Sequence, residues 1–306
     1  MNRLNNYIIG ISLFFLISCS IDDSKGKSNK AGIVHNKLEI THQLSKNDIK
    51  LKEPLAGEWR YYYKEGHQDL NSYINSITHR DENSNVIYIQ PLGDFDSLEN
   101  QLINETVEYL KLYYPAKVSL LATKSLESVP DNSKRIHGGN HQIHAPHILY
   151  EILEKDKFND GIAHLAITNR DLYPKKSWNY VFGLANYEKQ VGVCSFNRYV
   201  DEVLNPDDFE LVLNRIIKTS THEINHMLMM KHCVENLCIM NGANSLVEME
   251  NRPNRLCSIC NSKLMYTFQH DVYERLKGME AFFKSHNMNN DLELVQKDLI
   301  TLNKLI

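Results

Sequence analysis

The sequence lacks any excess of positive charge. Its 306 residues carry 34 Lys and Arg against 38 Asp and Glu, a formal net charge of −4, so no broad basic surface for nucleic acid is expected. It also lacks a polyacidic tail and any repeat with a period of about 20–50 residues. With 42% hydrophobic residues, the chain can build one large core or two modest ones. Composition therefore indicates a globular protein of enzyme size.

The apolar segment near the start of the chain, residues 7–17, is too short to cross a bilayer, which needs roughly twenty residues. With Arg3 before it, the segment has the charge and length of a secretory signal peptide. It ends in Leu-Ile-Ser-Cys at residues 16–19, which resembles the lipobox of bacterial lipoproteins. The alternative is an ordinary signal peptide with a chance cysteine. We predict that Cys19 is lipidated and becomes the mature N-terminus.

Such a lipid would anchor the chain in the cell envelope, outside the cytoplasm. Ser20 after the cysteine argues mildly against retention in the inner membrane, so the outer membrane is the expected location. Residues 1–18 are then a lipoprotein signal peptide, and residues 19–51, rich in Lys, Asn, Ser and Asp, are predicted to form a tether. An N-terminal extension of residues 52–84 is predicted to precede the main domain of residues 85–306, which the motifs described below predict to be catalytic.

A βαβ unit is predicted at the start of that domain. Residues 86–90, Val-Ile-Tyr-Ile-Gln, have the β-branched and aromatic composition of a buried strand. Asp94 or Asp96 can cap the helix that follows, and residues 118–122 supply a second strand. Two strands joined through a helix favour parallel pairing.

Further strand patterns complete a mixed sheet. Residues 162–168 form a third strand, and residues 180–185 and 191–196 are predicted to pair as an antiparallel hairpin. After the helix discussed next, residues 263–306 are predicted to form two amphipathic helices. The expected fold class is α/β (α+β), a mixed twisted sheet packed by helices.

A long amphipathic helix is predicted after residue 205. Asn205 offers an N-cap, and Pro206 suits the first turn because its missing N–H has no helical partner to lose. The apolar residues that follow keep helical spacing: Phe209, Leu213, Ile216, Ile217, Ile224 and Met227. The residues predicted to bind metal lie near the C-terminal end of this helix.

The sequence there is His-Glu-Ile-Asn-His at residues 222–226. Residues four apart share a helix face, so His222 and His226 can bind one metal ion together. Glu223 lies about 100° further round the axis, where it can reach a water without binding the metal. His232 can supply a third imidazole if the chain turns back near Met229, which leaves a coordination position for water. The alternative is an exposed helix with coincidental histidines.

Four cysteines follow closely: Cys233, Cys238, Cys257 and Cys260. Their spacing suits a tetrahedral site of four thiolates around a structural zinc. Two disulfides are the alternative, since the predicted compartment would permit them, and the choice stays open at this point. A sixth cysteine, Cys194, lies in an apolar strand and is predicted to be a buried small hydrophobe.

These residues together resemble the archaemetzincins, a family of metzincin zinc peptidases. The family pattern HExxHxxGxxHC, a spaced Cys, Cys-x-Met and a closing Cys-x-x-Cys is matched here by HEINHMLMMKHC, by Cys-Ile-Met at residues 238–240 and by Cys-Ser-Ile-Cys at residues 257–260. The likeness covers about residues 85–265. It implies a metzincin-like mixed sheet with a long active-site helix and a C-terminal subdomain that bears a four-cysteine zinc site.

The resemblance also implies roles for individual residues. His222, His226 and His232 would hold a catalytic zinc, Glu223 would be the catalytic base, and the four cysteines would hold a second zinc, giving two Zn²⁺ per chain. Met240 takes the place of the methionine beneath the active-site metal in metzincins, although core filling is the commoner role of a methionine. The expected activity is hydrolysis of peptide bonds in a peptide or protein substrate, with no nucleic-acid partner.

One position departs from the family pattern. Met229 stands where the family has glycine, a residue that ends a helix in the left-handed conformation without steric cost. This departure motivates an alternative, a non-catalytic binding lipoprotein that zinc merely stabilises. Another possibility is metal handling by His137, His141, His144 and His147, although a mobile, solvated loop is the preferred interpretation of that segment.

Overall fold

The computed structural model describes residues 36–77, 84–156, 158–200 and 203–305. Cys19 and the predicted signal peptide lie outside these described residues. Within them, no helix has the length and apolarity needed to cross a membrane.

Eight strands and ten α-helical segments are described. The strands are β1 Val86–Leu92, β2 Lys117–Leu120, β3 Lys134–His137, β4 Asn140–His144, β5 Gly161–Thr168, β6 Asp171–Tyr173, β7 Gly183–Asn186 and β8 Val191–Ser195. The helices are α1 at residues 36–45, then α2 Trp59–Tyr62, α3 Leu70–Ser76, α4 Ser97–Tyr113, α5 Ala145–His147, α6 Phe209–Met227, α7 Leu246–Glu250, α8 Ser258–Thr267, α9 Val272–Ser285 and α10 Asn289–Leu302. A π-helical turn, Ile148–Leu153, continues α5.

The main sheet has five strands in the order β2-β1-β5-β8-β7. The first four are parallel, and β7 pairs antiparallel with β8 at the edge, with Gly183 opposite Cys194. This arrangement confirms the predicted α/β class, the parallel βαβ unit and the hairpin, although β7 begins three residues later than predicted. Asp96 caps α4 in a capping box with Glu99.

A smaller sheet has the order β3-β4-β6. Gly138 and Gly139, with φ of +57° and +82°, form the two-residue turn between β3 and β4, because such a turn requires positive φ at both central positions. The hairpin corrects the interpretation of this histidine-rich segment as a loop.

Helix α6, which carries the HExxH motif, packs against β5, β7, β8 and α4. All six apolar residues that predicted this helix are buried, and so is every residue from Ile216 to Met227. Its start differs from the prediction. The Asn205 side chain accepts hydrogen bonds from the N–H groups of Asp207 and Asp208 at 2.9 and 3.1 Å. Asn205 and Pro206 therefore belong to a turn before the helix, which begins at Phe209.

Most of the predicted tether and the N-terminal extension pack with the rest of the chain. They belong to one compact unit, Lys37–Ile306. Leu44 on α1 is buried, at 3% exposure. Asp48 accepts a hydrogen bond from the Ser258 N–H at 3.0 Å and pairs with Arg255 at 3.2 Å. The prediction of a tether up to residue 51 is therefore wrong for residues 37–51. Composition alone suggested it, and these contacts are made with residues about 210 positions later.

The C-terminal region contains one helix more than predicted. Helix α8 carries Cys260 and Leu264 and ends at Thr267, and α9 starts only at Val272. Residues 263–306 therefore belong to three helices rather than to the two that were predicted, with Leu264 on α8 and Leu276 on α9. The Asp271 side chain accepts hydrogen bonds from the N–H groups of Tyr273 and Glu274 at 2.8 and 3.2 Å, so it caps α9 and begins a new helix.

Candidate active site

Three imidazoles meet at the end of α6. His222 and His226 lie one turn apart on the helix, and His232 follows after a turn. One nitrogen from each ring lies within 4.8 Å of the other two. The ring centroid of His232 is 5.2 Å from that of His222 and 4.7 Å from that of His226. The structure thus brings together the three histidines that the sequence singled out.

The turn before His232 is a Schellman motif. The N–H of Met229 donates to the His226 carbonyl at 2.8 Å, and the N–H of Met230 donates to the Asn225 carbonyl at 3.0 Å, as this motif requires. Met229 occupies the left-handed position with φ of +69°. The residue that replaces the family glycine therefore adopts the conformation that glycine would adopt.

The proton positions on the two helix imidazoles follow from their partners. Nδ1 of His222 lies 2.9 Å from the Ile239 carbonyl oxygen, and Nδ1 of His226 lies 2.7 Å from the Met230 carbonyl oxygen. Arg252 Nη1 lies 3.2 Å from His222 Nδ1, but its closer partner is the Asn241 carbonyl, to which it donates. A carbonyl oxygen only accepts hydrogen bonds, so each Nδ1 carries the proton and each Nε2 has a free lone pair. These two Nε2 atoms are only 2.9 Å apart. Two lone pairs this close repel each other unless both bind the same cation, so this pair of histidines fits a metal ion.

Burial keeps these rings neutral. His222 and His226 are 7% and 6% exposed. Desolvation lowers the pKa of His226 to about 3 and holds that of His222 well below its usual range. A metal ligand must be deprotonated at its binding nitrogen. Both rings meet that condition at neutral pH, and a proton shared between the two Nε2 atoms is disfavoured.

The third imidazole has a carboxylate partner. Nδ1 of His232 lies 3.0 Å from Glu65 Oε1. The hydrogen bond to His232 lowers the pKa of Glu65, so this carboxylate is ionised at neutral pH and accepts the proton of Nδ1. Nε2 of His232 is then the nitrogen with a free lone pair, as in the other two rings.

Glu223 is buried beside these ligands. Its exposure is 6%, and desolvation raises its pKa to about 8, with Arg252 acting in the opposite direction. Gly183 on the edge strand β7 lies directly against its carboxyl group. A methyl group on Gly183 would lie only 2.5 Å from Glu223 Oε1. A glycine in β7 therefore provides the space that this carboxyl group occupies.

Met240 is buried, at 0% exposure, in the chain segment that supports the histidines. The preceding Ile239 carbonyl accepts the proton of His222 Nδ1, and the Met240 carbonyl accepts a hydrogen bond from the Cys233 N–H at 2.8 Å. The segment around Met240 therefore links the histidine group to the cysteine group.

The four later cysteines form a second group. The sulfur atoms of Cys233, Cys238, Cys257 and Cys260 lie within 4.8 Å of one another, all four residues are buried, and none is in a disulfide. The Cys233 and Cys257 sulfurs are 3.7 Å apart. A tetrahedral zinc with bonds of about 2.3 Å would place its sulfurs about 3.8 Å apart. The group therefore fits zinc better than two disulfides.

Hydrogen-bond donors surround the sulfurs of this group. The N–H of Cys257 and the N–H of Met240 point at Cys238 Sγ at 3.3 and 3.5 Å. Hydrogen bonds from Cys238 and the other thiols lower the pKa of Cys233, whereas burial raises the pKa of Cys238 and a hydrogen bond with Cys233 raises that of Cys260. The charge of the group is therefore concentrated on Cys233. Cys194 lies apart from the group, and burial raises its pKa to about 12, which agrees with its predicted role as a small core residue.

The earlier histidine-rich segment forms no such group. His137 ends β3, His141 and His144 lie on β4, and His147 ends α5. Among the described residues, two groups of potential metal ligands occur, and neither includes these four histidines. The segment gives no support to a metal-handling function.

Several residues around the site were not singled out from the sequence. Glu65 and Trp59 contact His232, and the Tyr187 hydroxyl lies 2.8 Å from His226 Nδ1. Gly183 faces Glu223, and the Arg252 guanidinium donates to the Asn241 carbonyl beside His222. None is part of the HExxH motif or of its extension to His232, so the motif alone could not have found them.

Comparison with known proteins identifies related chains. The model of Peptidase family M54 matches residues 84–266, which include both groups of ligands. Archaemetzincin-2 of Mus musculus is 30% identical over 300 residues, covering 83% of this chain and 82% of its own. Archaemetzincin-2 of Homo sapiens is 33% identical over 258 residues, covering 72% and 71%. The crystal structure of archaemetzincin from Archaeoglobus fulgidus complexed with malonate is 28% identical, with a TM-score of 0.46, and covers 58% of this chain and 99% of its own.

Proposed function

This chain belongs to Peptidase family M54, the archaemetzincins, and from this premise we propose that it cleaves peptide bonds at a zinc held by His222, His226 and His232. Membership makes the chain a zinc metallopeptidase that acts on peptide or protein substrates. The observation that carries the assignment of ligands is the 2.9 Å distance between the Nε2 atoms of His222 and His226. Nδ1 of each ring is already committed to a carbonyl oxygen.

Glu223 is the proposed general base. When bound, zinc supplies Lewis-acid chemistry, which polarises a carbonyl group and makes water easier to deprotonate. Glu223 accepts the proton of the attacking water and delivers it to the nitrogen of the departing amine. Burial raises the pKa of this carboxyl group to about 8, and a cation bound beside it would lower that pKa again. The two opposing effects would keep the carboxyl group close to the range in which it can accept and release a proton.

The edge strand β7 is the proposed binding site for the substrate backbone. An extended peptide can add to an open sheet edge through main-chain hydrogen bonds. β7 is the last strand of the main sheet, and its Gly183 lies against the Glu223 carboxyl. A peptide paired with β7 would therefore pass close to the proposed base.

The four cysteines are proposed to hold a second, structural zinc, which gives two zinc ions per chain. A closed site of four thiolates leaves no position for water, so its role is to stabilise the fold. The N–H of Cys233 donates to the Met240 carbonyl, and the N–H of Ile239 donates to the Arg255 carbonyl. The structural zinc would thereby hold the segment that carries Ile239, the partner of His222.

A lipid at Cys19 remains a proposal from the sequence alone. Together with the signal-like residues 1–18 it would place the enzyme in the cell envelope, in the outer membrane. Metabolic labelling with a tagged palmitate tests this directly. The wild-type chain should incorporate the label, a Cys19→Ser variant should not, and equal labelling of both would refute the proposal.

The sharpest test of the enzymatic proposal is Glu223→Gln. We expect the variant to keep two zinc ions per chain and to lose at least about 100-fold in hydrolysis of a peptide library read by mass spectrometry, because a general base contributes about 10²–10⁴-fold. Glu210→Gln is the matched control, since Glu210 also lies on α6 but forms its bond to His286 away from the metal ligands. Retained hydrolysis in Glu223→Gln would refute the assignment of the base.

The rival proposal is a non-catalytic binding lipoprotein, and it was motivated by Met229. The Schellman turn described above removes that motive, because Met229 takes the left-handed position expected of glycine. The same library distinguishes the two. A binding protein would cleave no peptide in either the wild-type or the Glu223→Gln form.

A further inference from the structure

We propose that the N-terminal segment before the family-matched region positions the third metal ligand. Four residues of this segment contact His232 or the turn that precedes it. We call them the brace: Trp59, Glu65, Gln68 and Tyr73. This inference rests on the proposed function for the identity of His232 as a ligand. The brace residues act on the metal through His232 and are therefore positioning residues.

The first contact fixes the ring of His232. Glu65 Oε1 accepts the Nδ1 proton at 3.0 Å, which selects the tautomer with a free Nε2 and sets the rotation of the ring. The carboxylate partner of a metal-bound histidine commonly has this role. His232 is also the least buried of the three histidines, with a side chain 17% exposed, so it depends most on such a partner.

The second contact covers the ring of His232. The Trp59 indole lies with its centroid 4.3 Å from that of His232. On another side, the indole lies against Gly242, where a side chain larger than glycine would collide with it. The backbone N–H of Trp59 donates to Glu248 Oε1 at 2.8 Å. Trp59 is thus held in place by Gly242 and Glu248 and restricts the positions open to His232.

The third set of contacts holds the turn itself. Gln68 donates from Nε2 to the Met229 carbonyl at 3.0 Å and accepts from the Lys231 N–H at 2.9 Å. The Tyr73 hydroxyl donates to the Leu228 carbonyl at 2.9 Å. These bonds hold Leu228, Met229 and Lys231, three residues of the turn in which Met229 has φ of +69°.

These bonds give a physical reason for the tolerance of Met229. A residue other than glycine is disfavoured in the left-handed conformation, so a turn with methionine there needs external support. The brace supplies it through side chains that precede residue 84, where the match to the family model begins. The N-terminal segment thereby becomes part of the active site rather than a separate extension.

The experiment measures metal affinity of the full-length chain, with zinc as the probe and a chromophoric chelator as competitor. We expect Glu65→Ala to weaken the histidine site about 10–100-fold, the usual effect of losing such a partner, and to leave the cysteine site unchanged. Glu65→Gln should recover at least part of the affinity, because an amide oxygen can accept the same hydrogen bond. Loading with cobalt gives a second readout, since a displaced third ligand changes the visible spectrum.

The matched control is Glu210→Ala. Glu210 accepts a hydrogen bond from His286 Nδ1 at 3.0 Å, the same length as the bond in the brace, but the pair is outside both ligand groups. This variant should bind both zinc ions as the wild type does. Tyr73→Phe, which removes one hydroxyl from a buried site, should also weaken the histidine site while it leaves the cysteine site intact.

Three results would overturn the inference, and they are distinguishable. Wild-type affinity in Glu65→Ala and Tyr73→Phe would refute the brace and leave the proposed function standing. An equal loss in Glu65→Gln and Glu65→Ala would assign the effect to charge rather than to position. A wild-type chain that binds zinc only at its cysteines would refute both the brace and the proposed function.

Discussion

Replacement of Gly183 by alanine tests whether the edge strand sets the position of the proposed base. Gly183 lies in strand β7, where the extended backbone itself accepts alanine. The added methyl carbon would lie 2.5 Å from Glu223 Oε1 and 2.8 Å from both Cδ and Cγ. Non-bonded carbon atoms prefer about 3.5–4.0 Å. The Glu223 side chain must therefore move by roughly 1 Å.

We expect the substitution to slow catalysis and to leave metal binding unchanged. A displacement of about 1 Å in a catalytic group can lower the rate about 100-fold, so we expect kcat of Gly183→Ala to fall by that order. The overpacked site should also lose about 1–3 kcal/mol of unfolding free energy. The contacts of His222 and His226 do not involve Gly183, so zinc content should stay at the wild-type level.

The assay combines steady-state hydrolysis of a peptide substrate with elemental analysis of zinc. Gly161→Ala is the control, because Gly161 also lies in a strand of the main sheet and its added methyl would meet neighbours at an ordinary 3.4 Å. An unchanged kcat in Gly183→Ala would refute the argument. A loss of zinc together with activity would show instead that the substitution disturbs the ligands.

Three further predictions concern other parts of the chain. Cys257→Ser should lower the zinc content from two ions to one and reduce the melting temperature, and an unchanged zinc content would contradict the structural site. Arg255→Met should lower the unfolding free energy in urea by about 3–5 kcal/mol, because it leaves Asp298 and Asp48 buried without the partner they have at 2.6 and 3.2 Å. Burial lowers the pKa of His164 to about 4, so between pH 6.5 and 4 the unfolded chain binds a proton there that the folded chain does not. Stability should fall as the pH drops through that window, by at most about 3 kcal/mol from this residue, and His164→Gln should flatten the dependence in urea titrations at several pH values.

Local patterns predicted most of the sheet and the start of α4. The apolar runs at β1 and β5 and the hairpin of β7 and β8 follow from residue periodicity, which a strand imposes on its own sequence. Asp96 caps α4 because its partners lie within three residues. The prediction for the start of α6 was too early. Asn205 and Pro206 are residue types that often begin a helix, but here the Asn205 side chain bonds nearby N–H groups and forms a turn that competes with the helix.

The N-terminal region was the least predictable from sequence. Residues 37–51 have the composition of a tether, yet Asp48 bonds Ser258 and Arg255, and Asn47 bonds Asp298. The contact of Glu65 with His232 spans 167 positions. Local spacing cannot predict such contacts, because they depend on how segments far apart in the sequence pack together.

The sequence by itself determined which side chains can bind metal. The i, i+4 spacing of His222 and His226 places them on one helix face, and the four cysteines form closely spaced pairs. Only the tertiary structure decided how those side chains are used. The proton on each imidazole is set by the carbonyl or carboxylate that faces Nδ1, and the space for Glu223 is set by a glycine on another strand. A motif fixes neighbours along the helix, whereas the direction of a lone pair depends on partners that only the folded chain brings into contact.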